Sequence, residues 1–252
     1  MNRLQAIESI RARLRAGQSS IGSWIQIPHG SVAEIMGAAG YDWVALDLEH
    51  GSIAAHQLPE LCRALELGGT LPLARVAQGA AKDCKQALDA GCGGVIAPMV
   101  ESAEQLKRIR DACRWPPAGA RGVAFARANL FGERFDEYVQ EAQSPLLVAM
   151  IEHGKAVAQL PEIVKVEGLD AILVGPYDLS ASLGRTAEFS HPEFEATLER
   201  ILDVARAANV PCGVHVVAPS REELARREAE GYRFIAYGID SVVLRLGARR
   251  PR

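Results

Sequence analysis

Residues 43–68 read WVALDLEHGSIAAHQLPELCRALELG. The first five of these, Trp43–Asp47, form a short and mostly apolar run. An amphipathic stretch, Leu58–Leu67, follows a polar connection and ends at Gly68. A short apolar run is typical of a buried strand, and a helical pattern closed by glycine is typical of a capped α-helix. The segment therefore predicts one β-strand followed by one α-helix.

The same order of strand and helix recurs on both sides of this segment, in eight units along the 252 residues. Several strands are apolar at successive positions, as strands covered on both faces should be. Eight such units favour an α/β fold, a closed parallel (β/α)8 TIM barrel forming one domain of residues 1–252 with a short C-terminal tail at 240–252. The predicted strands are Ser20–Ile27, Trp43–Asp47, Pro72–Arg75, Gly94–Ala97, Pro145–Ile151, Ala171–Val174, Cys212–Val217 and Phe234–Tyr237.

An open, doubly wound sheet is the alternative arrangement of the same units. Such a sheet often carries a glycine-rich dinucleotide-binding motif directly after its first strand. Residues 26–30 at that point read QIPHG, which lacks the motif. The sequence therefore favours the barrel.

Composition and charge narrow the range of partners and compartments. The net charge is −3 and no basic stripe is present, which argues against a nucleic-acid partner. The short basic run of Arg249, Arg250 and Arg252 is interpreted as a solvated tail. Five cysteines without a CxxC pair are interpreted as buried thiols in a reducing compartment. No apolar run suits a signal peptide or a membrane span, so we expect a cytoplasmic protein with no membrane partner.

Polar residues collect where the predicted strands end, which in a barrel is where catalytic groups are found. The second strand ends in Asp47, and His50 follows it; Arg75 ends the third. Glu152 follows the fifth strand, and Gly175-Pro176-Tyr177-Asp178 follows the sixth. Buried charge is costly unless it is paired or bound to metal, so this concentration predicts a site at one mouth of the barrel.

Glu152 and Asp178 are two carboxylates from neighbouring strand ends with no cysteine beside them. Oxygen ligands of this kind suit a hard cation such as Mg²⁺ or Mn²⁺, which would keep several waters. The alternative is that Glu152 pairs with an arginine and that Asp178 caps the turn before Leu179. Both interpretations stay open on the residues alone.

His50 is a candidate general base, because a carboxylate can fix the tautomer of a histidine and raise its basicity. Asp47 and Asp89 are both candidates for that carboxylate. Arg75 could stabilise negative charge on a substrate, or it could neutralise the surplus of acids. The turn from Gly175 to Asp178 could hold a substrate carboxylate on its backbone N–H groups, or it could be an ordinary connection.

Several ordered motifs resemble one family of enzymes, the HpcH/HpaI aldolases, which are metal-dependent class II pyruvate aldolases. The resemblance covers nearly the whole chain. Its motifs are Ala39-Gly40-Tyr41-Asp42-Trp43 leading to Asp47-Leu48-Glu49-His50, Pro98-Met99-Val100-Glu101, Pro116-Pro117-Ala118-Gly119-Ala120-Arg121-Gly122, Ile151-Glu152, and Gly168-Leu169-Asp170 running into Gly175-Pro176-Tyr177-Asp178-Leu179-Ser180.

The resemblance implies an enzyme that reversibly cleaves a 4-hydroxy-2-oxo acid to pyruvate and an aldehyde through a metal-bound pyruvate enolate. It implies Mg²⁺, Mn²⁺ or Co²⁺ as cofactor and a homo-oligomer as the assembly. The implied roles are metal binding for Glu152 and Asp178, proton transfer for His50 aided by Asp89 or Asp47, charge stabilisation for Arg75, and substrate binding for the turn Gly175, Pro176, Tyr177 and Asp178 and for position 150.

Two departures from the family pattern are visible. Met150 stands where many members have a glutamine that touches substrate, and only residues 240–252 follow the last strand, where the family has a long helix that packs on a neighbouring subunit. The size of the oligomer is therefore left open. The long irregular segment Arg114–Phe135 is expected to shape the aldehyde end of the site. Two alternatives remain, a citrate-lyase-like enzyme acting on a CoA thioester and a non-catalytic barrel that binds a keto acid.

Overall fold

Eight parallel strands close into a barrel in the order of the chain, with β8 hydrogen-bonded to β1. The structure is a computed structural model and describes residues 1–250. The strands are β1 (Ser20–Ile25), β2 (Trp43–Asp47), β3 (Leu71–Arg75), β4 (Gly94–Ala97), β5 (Leu146–Ile151), β6 (Ala171–Val174), β7 (Cys212–Val216) and β8 (Phe234–Ile239). The predicted single-domain TIM barrel is confirmed, and each predicted strand overlaps an observed one.

Helices surround the barrel and connect its strands. They are α1 (Arg3–Arg15), α2 (Gly30–Ala38), α3 (Leu58–Leu67), α4 (Ala81–Ala90), α5 (Ala103–Cys113), α6 (Phe135–Gln143), α7 (Gly154–Ile163), α8 (Pro176–Ser182), α9 (Pro192–Ala207), α10 (Arg221–Glu230) and α11 (Asp240–Gly247). Gly91 and Gly231 end α4 and α10 in the left-handed conformation, where glycine carries no Cβ penalty. Short turns of this kind let the chain reverse from the end of a helix into the next strand.

The helix α1 closes the N-terminal end of the barrel. Ile7, Ile10 and Leu14 from one of its faces are buried against inward-facing strand residues such as Trp43 and Phe234, whose rings stack with centroids 4.3 Å apart. A core of large side chains fills the interior, so the barrel is packed rather than open. With this end closed by α1, the C-terminal ends of the strands are left as the open mouth.

The irregular segment Arg114–Phe135 lies at the closed end, contrary to the expectation that it shapes the substrate site. It leaves the C-terminus of α5 and leads toward the start of β5, so it belongs to the N-terminal side of the barrel. Arg127 within it pairs with Glu66 at the end of α3, and Trp115 and Phe135 pack together with Tyr138. The length of this segment correctly marked it as unusual, but sequence length does not say at which end of a barrel a connection lies.

The C-terminal segment is not the simple tail that the sequence predicted. Residues 240–247 form α11, and Asp240 at its start is buried, with its carboxylate accepting the N–H groups of Gln26 and Ile27. Arg249 and Arg250 are exposed, as expected of a solvated run, and Arg252 lies outside the described residues. The last helix is therefore fastened to the end of β1 through this carboxylate and through the hydroxyl of Ser241, which donates to the side chain of Gln26.

The five cysteines are buried and unbridged, as predicted. Among residues 1–250, none of the helices combines the length and the apolar composition that a membrane crossing requires.

Candidate active site

A cavity of about 430 Å³ opens at the C-terminal ends of the strands. Most of the predicted site residues meet there, although they come from four different strands and connections. The predicted residues that line it are Asp47, His50, Arg75, Met150, Glu152, Gly175, Pro176, Tyr177 and Asp178. Trp24, Gln26, Leu173, Val174, His215, Val217 and Ile239 complete the lining. Barrel closure brings these residues together because parallel strands end at the same edge.

Asp47 and Arg75 form a two-pronged ion pair on the floor of this cavity. Nε and Nη2 of Arg75 donate to the two carboxylate oxygens of Asp47 at 2.9 and 2.6 Å. Burial alone would raise the pKa of Asp47, but the bonds from Arg75 outweigh it and the pKa is lowered. Two parallel bonds fix the plane of a guanidinium, so Arg75 is held in one orientation. Both interpretations of Arg75 are therefore compatible, since it neutralises an acid and still lines the cavity.

Two residues that the sequence interpretation did not assign complete the support of this pair. The side-chain amide of Gln26 donates to Asp47 at 3.0 Å, and Gln26 itself accepts a bond from Ser241 at 3.0 Å. The ring of Trp24 lies 4.5 Å below the guanidinium carbon of Arg75, a cation–π contact. Both residues lie on or just after β1, which pairs directly with β2, so their support of Arg75 arises from strand pairing and not from the local sequence.

His50 lies in the exposed connection after β2, at the rim of the cavity. The backbone N–H of His50 donates to Asp47 at 3.1 Å, whereas its imidazole Nε2 lies 3.8 Å from a carboxylate oxygen of Glu49. The carboxylate of Asp47 therefore holds the loop of His50 and does not orient its ring. Glu49, which the sequence interpretation had left without a role, is the acid beside the imidazole.

Asp89 and His50 form no ion pair with each other among the described residues, so the predicted support of His50 by Asp89 stays a prediction. It lies on α4, in the outer layer, where its carboxylate is 3.9 Å from Nη1 of Arg121. Burial raises the pKa of Asp89, and the nearby Arg121 and Lys85 oppose that shift. The helical position of Asp89 places it behind the strands rather than at their ends, so Asp89 does not line the cavity.

Glu152 is buried at the end of β5 among other acids. Its Oε2 accepts the backbone N–H of Met99 at 2.8 Å, and Met99 adopts a left-handed backbone conformation, φ 49°, that directs this N–H. Burial raises the pKa of Glu152 to about 7; the bond from Met99 opposes the rise, and the carboxylates of Glu49 and Asp178 add to it. A carboxylate in this position lacks a counter-charge of its own.

The donor set fits a divalent cation on two observations of the structure. Oε2 of Glu49 is buried and makes no hydrogen bond, although Nε of Arg75 lies 3.4 Å away. Glu152 and Asp178 face the same space without a basic partner among the described residues. Within residues 1–250 no group of three His, Cys, Asp or Glu side chains forms a complete cage. Two carboxylates with the remaining positions open suit an ion that keeps water or substrate as ligands.

The structure brings Gly175 directly against Glu152, which explains the glycine at the start of α8. A Cβ at position 175 would overlap Oε1 of Glu152, whereas the backbone angles there, φ −98° and ψ 92°, are open to any residue. We expect Gly175→Ala to weaken divalent-metal binding by about 10–100-fold, because the carboxylate must move. Calorimetric titration with Mn²⁺ measures this. Gly247→Ala, in open space on α11, is the control and should bind as the unaltered protein does; equal affinities for the two variants would contradict the expectation.

The chain is similar in sequence to known proteins. The profile of the HpcH/HpaI aldolase/citrate lyase family matches residues 20–246. The chain is 36% identical over 236 residues to 2-keto-3-deoxy-L-rhamnonate aldolase of Escherichia coli K12, which covers 92% of this chain and 87% of that protein.

Solved structures of proteins from the same family are also similar to this chain. A HpcH/HpaI aldolase/citrate lyase family protein from Burkholderia cenocepacia J2315 superposes with a TM-score of 0.89 at 31% identity, covering 96% of both chains. The fold is also that of the citrate lyase beta subunit of M. tuberculosis complexed with oxaloacetate and magnesium, with a TM-score of 0.59 at 20% identity over 94% of this chain and 100% of that one. The predicted enzyme class, a carbon–carbon lyase, is confirmed, and the chain belongs to the HpcH/HpaI aldolase/citrate lyase family.

Proposed function

We propose that this protein is a class II pyruvate aldolase that reversibly cleaves a 4-hydroxy-2-oxo acid to pyruvate and an aldehyde. The observation that carries the proposal is that uncompensated carboxylates and a fixed arginine lie together in one cavity. Buried and uncompensated carboxylates, Glu152 above all, lie beside an arginine that Asp47 holds in a fixed orientation. The first group suits a cation and the second suits a developing oxyanion.

Glu152 and Asp178 are the proposed ligands of a divalent cation, Mg²⁺, Mn²⁺ or Co²⁺. When bound, such an ion acts as a Lewis acid toward the oxygens of a 2-oxo acid. The start of α8 lies beside these ligands, and the first N–H groups of a helix have no partner within the helix. The backbone N–H of Tyr177 is therefore available to the substrate carboxylate, so Gly175, Pro176 and Tyr177 form the proposed acid-binding turn.

Arg75 and His50 divide the remaining chemistry. In the synthetic direction the pyruvate methyl loses a proton, its carbon bonds to the aldehyde carbon, and the aldehyde oxygen gains a proton. Arg75 donates to the oxygen on which negative charge develops, because its plane is fixed before reaction. His50 moves the proton from its place at the rim, with Glu49 rather than Asp47 beside its ring.

The assembly is proposed to be a homo-oligomer. The helix α11 exposes Val243 and Leu244 at 45% and 60% of their surface, and apolar side chains on one short helix are suited to burial by a second subunit. The alternative of a lyase for CoA thioesters finds less support. Among the described residues that line the cavity, Arg75 is the one arginine or lysine, and Asp47 already neutralises it.

The experiment that tests the proposal follows exchange of the pyruvate methyl protons with solvent deuterium. We expect exchange that requires Mg²⁺, Mn²⁺ or Co²⁺, stops with chelator and resumes when metal returns. We also expect no borohydride-trapped adduct, because Lys155, the lysine nearest the site in sequence, is 70% exposed and its amine lies 3.6 Å from Glu101. Metal-independent exchange, or a reduced pyruvate adduct on Lys155, would point to a lysine-based mechanism; binding of pyruvate without exchange would point to the non-catalytic barrel.

A further inference from the structure

The lining of the active-site cavity contains two chemically different groups of residues. Its charged residues include Asp47, Arg75 and Glu152. Arg75 donates a hydrogen bond to Asp47, and its positive charge opposes the rise in the pKa of Glu152. The lining also contains residues without charge, among them Val174, Pro176, Tyr177, Val217 and His215. Nε2 of His215 is 3.2 Å from the carbonyl oxygen of Gly238, and burial lowers the pKa of His215 to about 4, so this ring is neutral near pH 7.

A second and larger cleft, of about 960 Å³, lies between α9 and α10 and adjoins the first. The two cavities share five uncharged lining residues. The shared residues are Val174, Pro176, Tyr177, His215 and Val217. A ligand that starts at Glu152 and Arg75 and continues past Tyr177 therefore enters the cleft between α9 and α10.

Aromatic side chains form the wall where the two cavities meet. The ring of Tyr177 packs edge-on against Phe189 with centroids 5.0 Å apart, and Phe189 contacts Phe194 at 5.6 Å. Tyr177 and Phe189 remain 54% and 38% exposed, respectively, although both are large. Exposed aromatic surface that rims an active site is surface that an apolar ligand would cover.

The charges around the cleft disfavour an anionic ligand. Its three arginines are already paired: Arg206 with Asp203, and Arg226 and Arg227 with Glu223. Glu195 and Glu199 on α9 also line the cleft and have no basic partner among the described residues. The cleft therefore carries surplus negative charge and offers no free cation to a carboxylate.

We propose that the aldehyde partner of this enzyme is an uncharged aldehyde with an apolar chain, and that the chain lies along Tyr177 and Phe189 into the cleft between α9 and α10. This inference rests on the proposed aldolase function. It names the class of substrate as a 4-hydroxy-2-oxo acid with an alkyl or aryl group beyond its hydroxyl-bearing carbon. The reaction remains a balanced aldol addition with no further reactant.

The test compares aldehydes as acceptors of pyruvate with Mn²⁺ present. Along propanal, butanal, pentanal and hexanal, kcat/KM should rise by about fourfold for each methylene that the cleft buries. Succinic semialdehyde, which is similar in length to pentanal but ends in a carboxylate, should be roughly tenfold poorer than pentanal. A flat series, or a preference for succinic semialdehyde, overturns the inference.

A pair of matched variants tests whether the chain of the aldehyde lies against Phe189. Phe189→Ala should reduce the ratio of kcat/KM for hexanal over propanal by roughly tenfold, because it removes aromatic surface from the wall. Phe131→Ala is the control, since Phe131 is 72% exposed in the segment at the closed end of the barrel, and it should leave the ratio unchanged. An equal ratio in Phe189→Ala and in Phe131→Ala counts against the proposed path of the chain.

Deuterium exchange at the pyruvate methyl, run in parallel without aldehyde, separates the two proposals. Exchange together with a flat aldehyde series overturns the acceptor inference and leaves the aldolase proposal standing. Absence of exchange in the unaltered protein with metal overturns the aldolase proposal itself, and the acceptor inference with it.

Discussion

Replacing Glu152 with glutamine is expected to reduce turnover by roughly 10³-fold, since several kcal/mol of charge stabilisation depends on the metal that this residue is proposed to hold. An amide retains the shape of the side chain but loses the negative charge. Elemental analysis and Mn²⁺ titration should show the corresponding loss of bound metal. Glu101→Gln, at the same end of the barrel and paired with Lys155, is the control and should retain both metal and activity.

Glu152→Gln should lower turnover, but it should raise the stability of the metal-free protein near neutral pH. Because the folded-state pKa of Glu152 is about 7 against an ordinary 4.5, the folded protein retains a proton that the unfolded chain has already lost. The free energy of unfolding of the metal-free wild type should therefore fall as pH rises from about 4.5 to 7, by about 3 kcal/mol, and then level off. Glu152→Gln should not show this fall. Denaturant unfolding across that range checks it, and identical pH profiles for the two proteins would contradict the placement of Glu152 among uncompensated acids.

The second large effect is expected at Arg75. Arg75→Met should lower kcat by about 10²–10³-fold and change KM less, because the lost contact strengthens as charge develops on the substrate. It should also lower the free energy of unfolding by about 3–5 kcal/mol, since Asp47, which is fully buried, is left without its counter-charge. Steady-state kinetics and denaturant unfolding measure the two effects separately.

A second variant separates the catalytic role of Arg75 from its structural role. In Arg75→Met/Asp47→Asn the buried charge is removed together with its partner, so the free energy of unfolding should recover by a few kcal/mol. Activity should not recover, because no donor faces the substrate oxygen. Recovery of both stability and activity in the double variant would mean that Arg75 serves the fold alone. A third variant, Arg75→Lys, keeps the charge but cannot form two parallel bonds. Its activity should remain well below that of the wild type.

Local sequence patterns were sufficient to predict the fold and to place most of the candidate site residues at one mouth of the barrel. The apolar run Trp43–Asp47 and the amphipathic stretch Leu58–Leu67 have the observed bounds of β2 and α3, because hydrophobic periodicity is a property of adjacent residues. Once eight such units imply a barrel, residues at strand ends must share one mouth. For this reason Asp47, Arg75, Glu152 and Asp178 could be assigned to one site before their contacts were known.

The choice of partner for each of these side chains could not be predicted in the same way. Asp47 and Asp89 were equal candidates to support His50. In the structure Asp47 binds Arg75 and the backbone of its own loop, while Asp89 faces Arg121 behind the barrel. Glu49 was overlooked because nothing in its local sequence distinguishes an acid beside an imidazole from a solvated one.

The sequence by itself determined the (β/α)8 barrel, the family, and the set of acids and the arginine at its mouth. The tertiary structure alone decided that Gln26 and Trp24 support Arg75, that the segment Arg114–Phe135 lies at the closed end, and that a cleft between α9 and α10 continues the cavity. The physical reason is range. Strand and helix patterns arise from neighbours along the chain, whereas these contacts join residues that are far apart in sequence and become neighbours only when the strands pair and the helices pack around them.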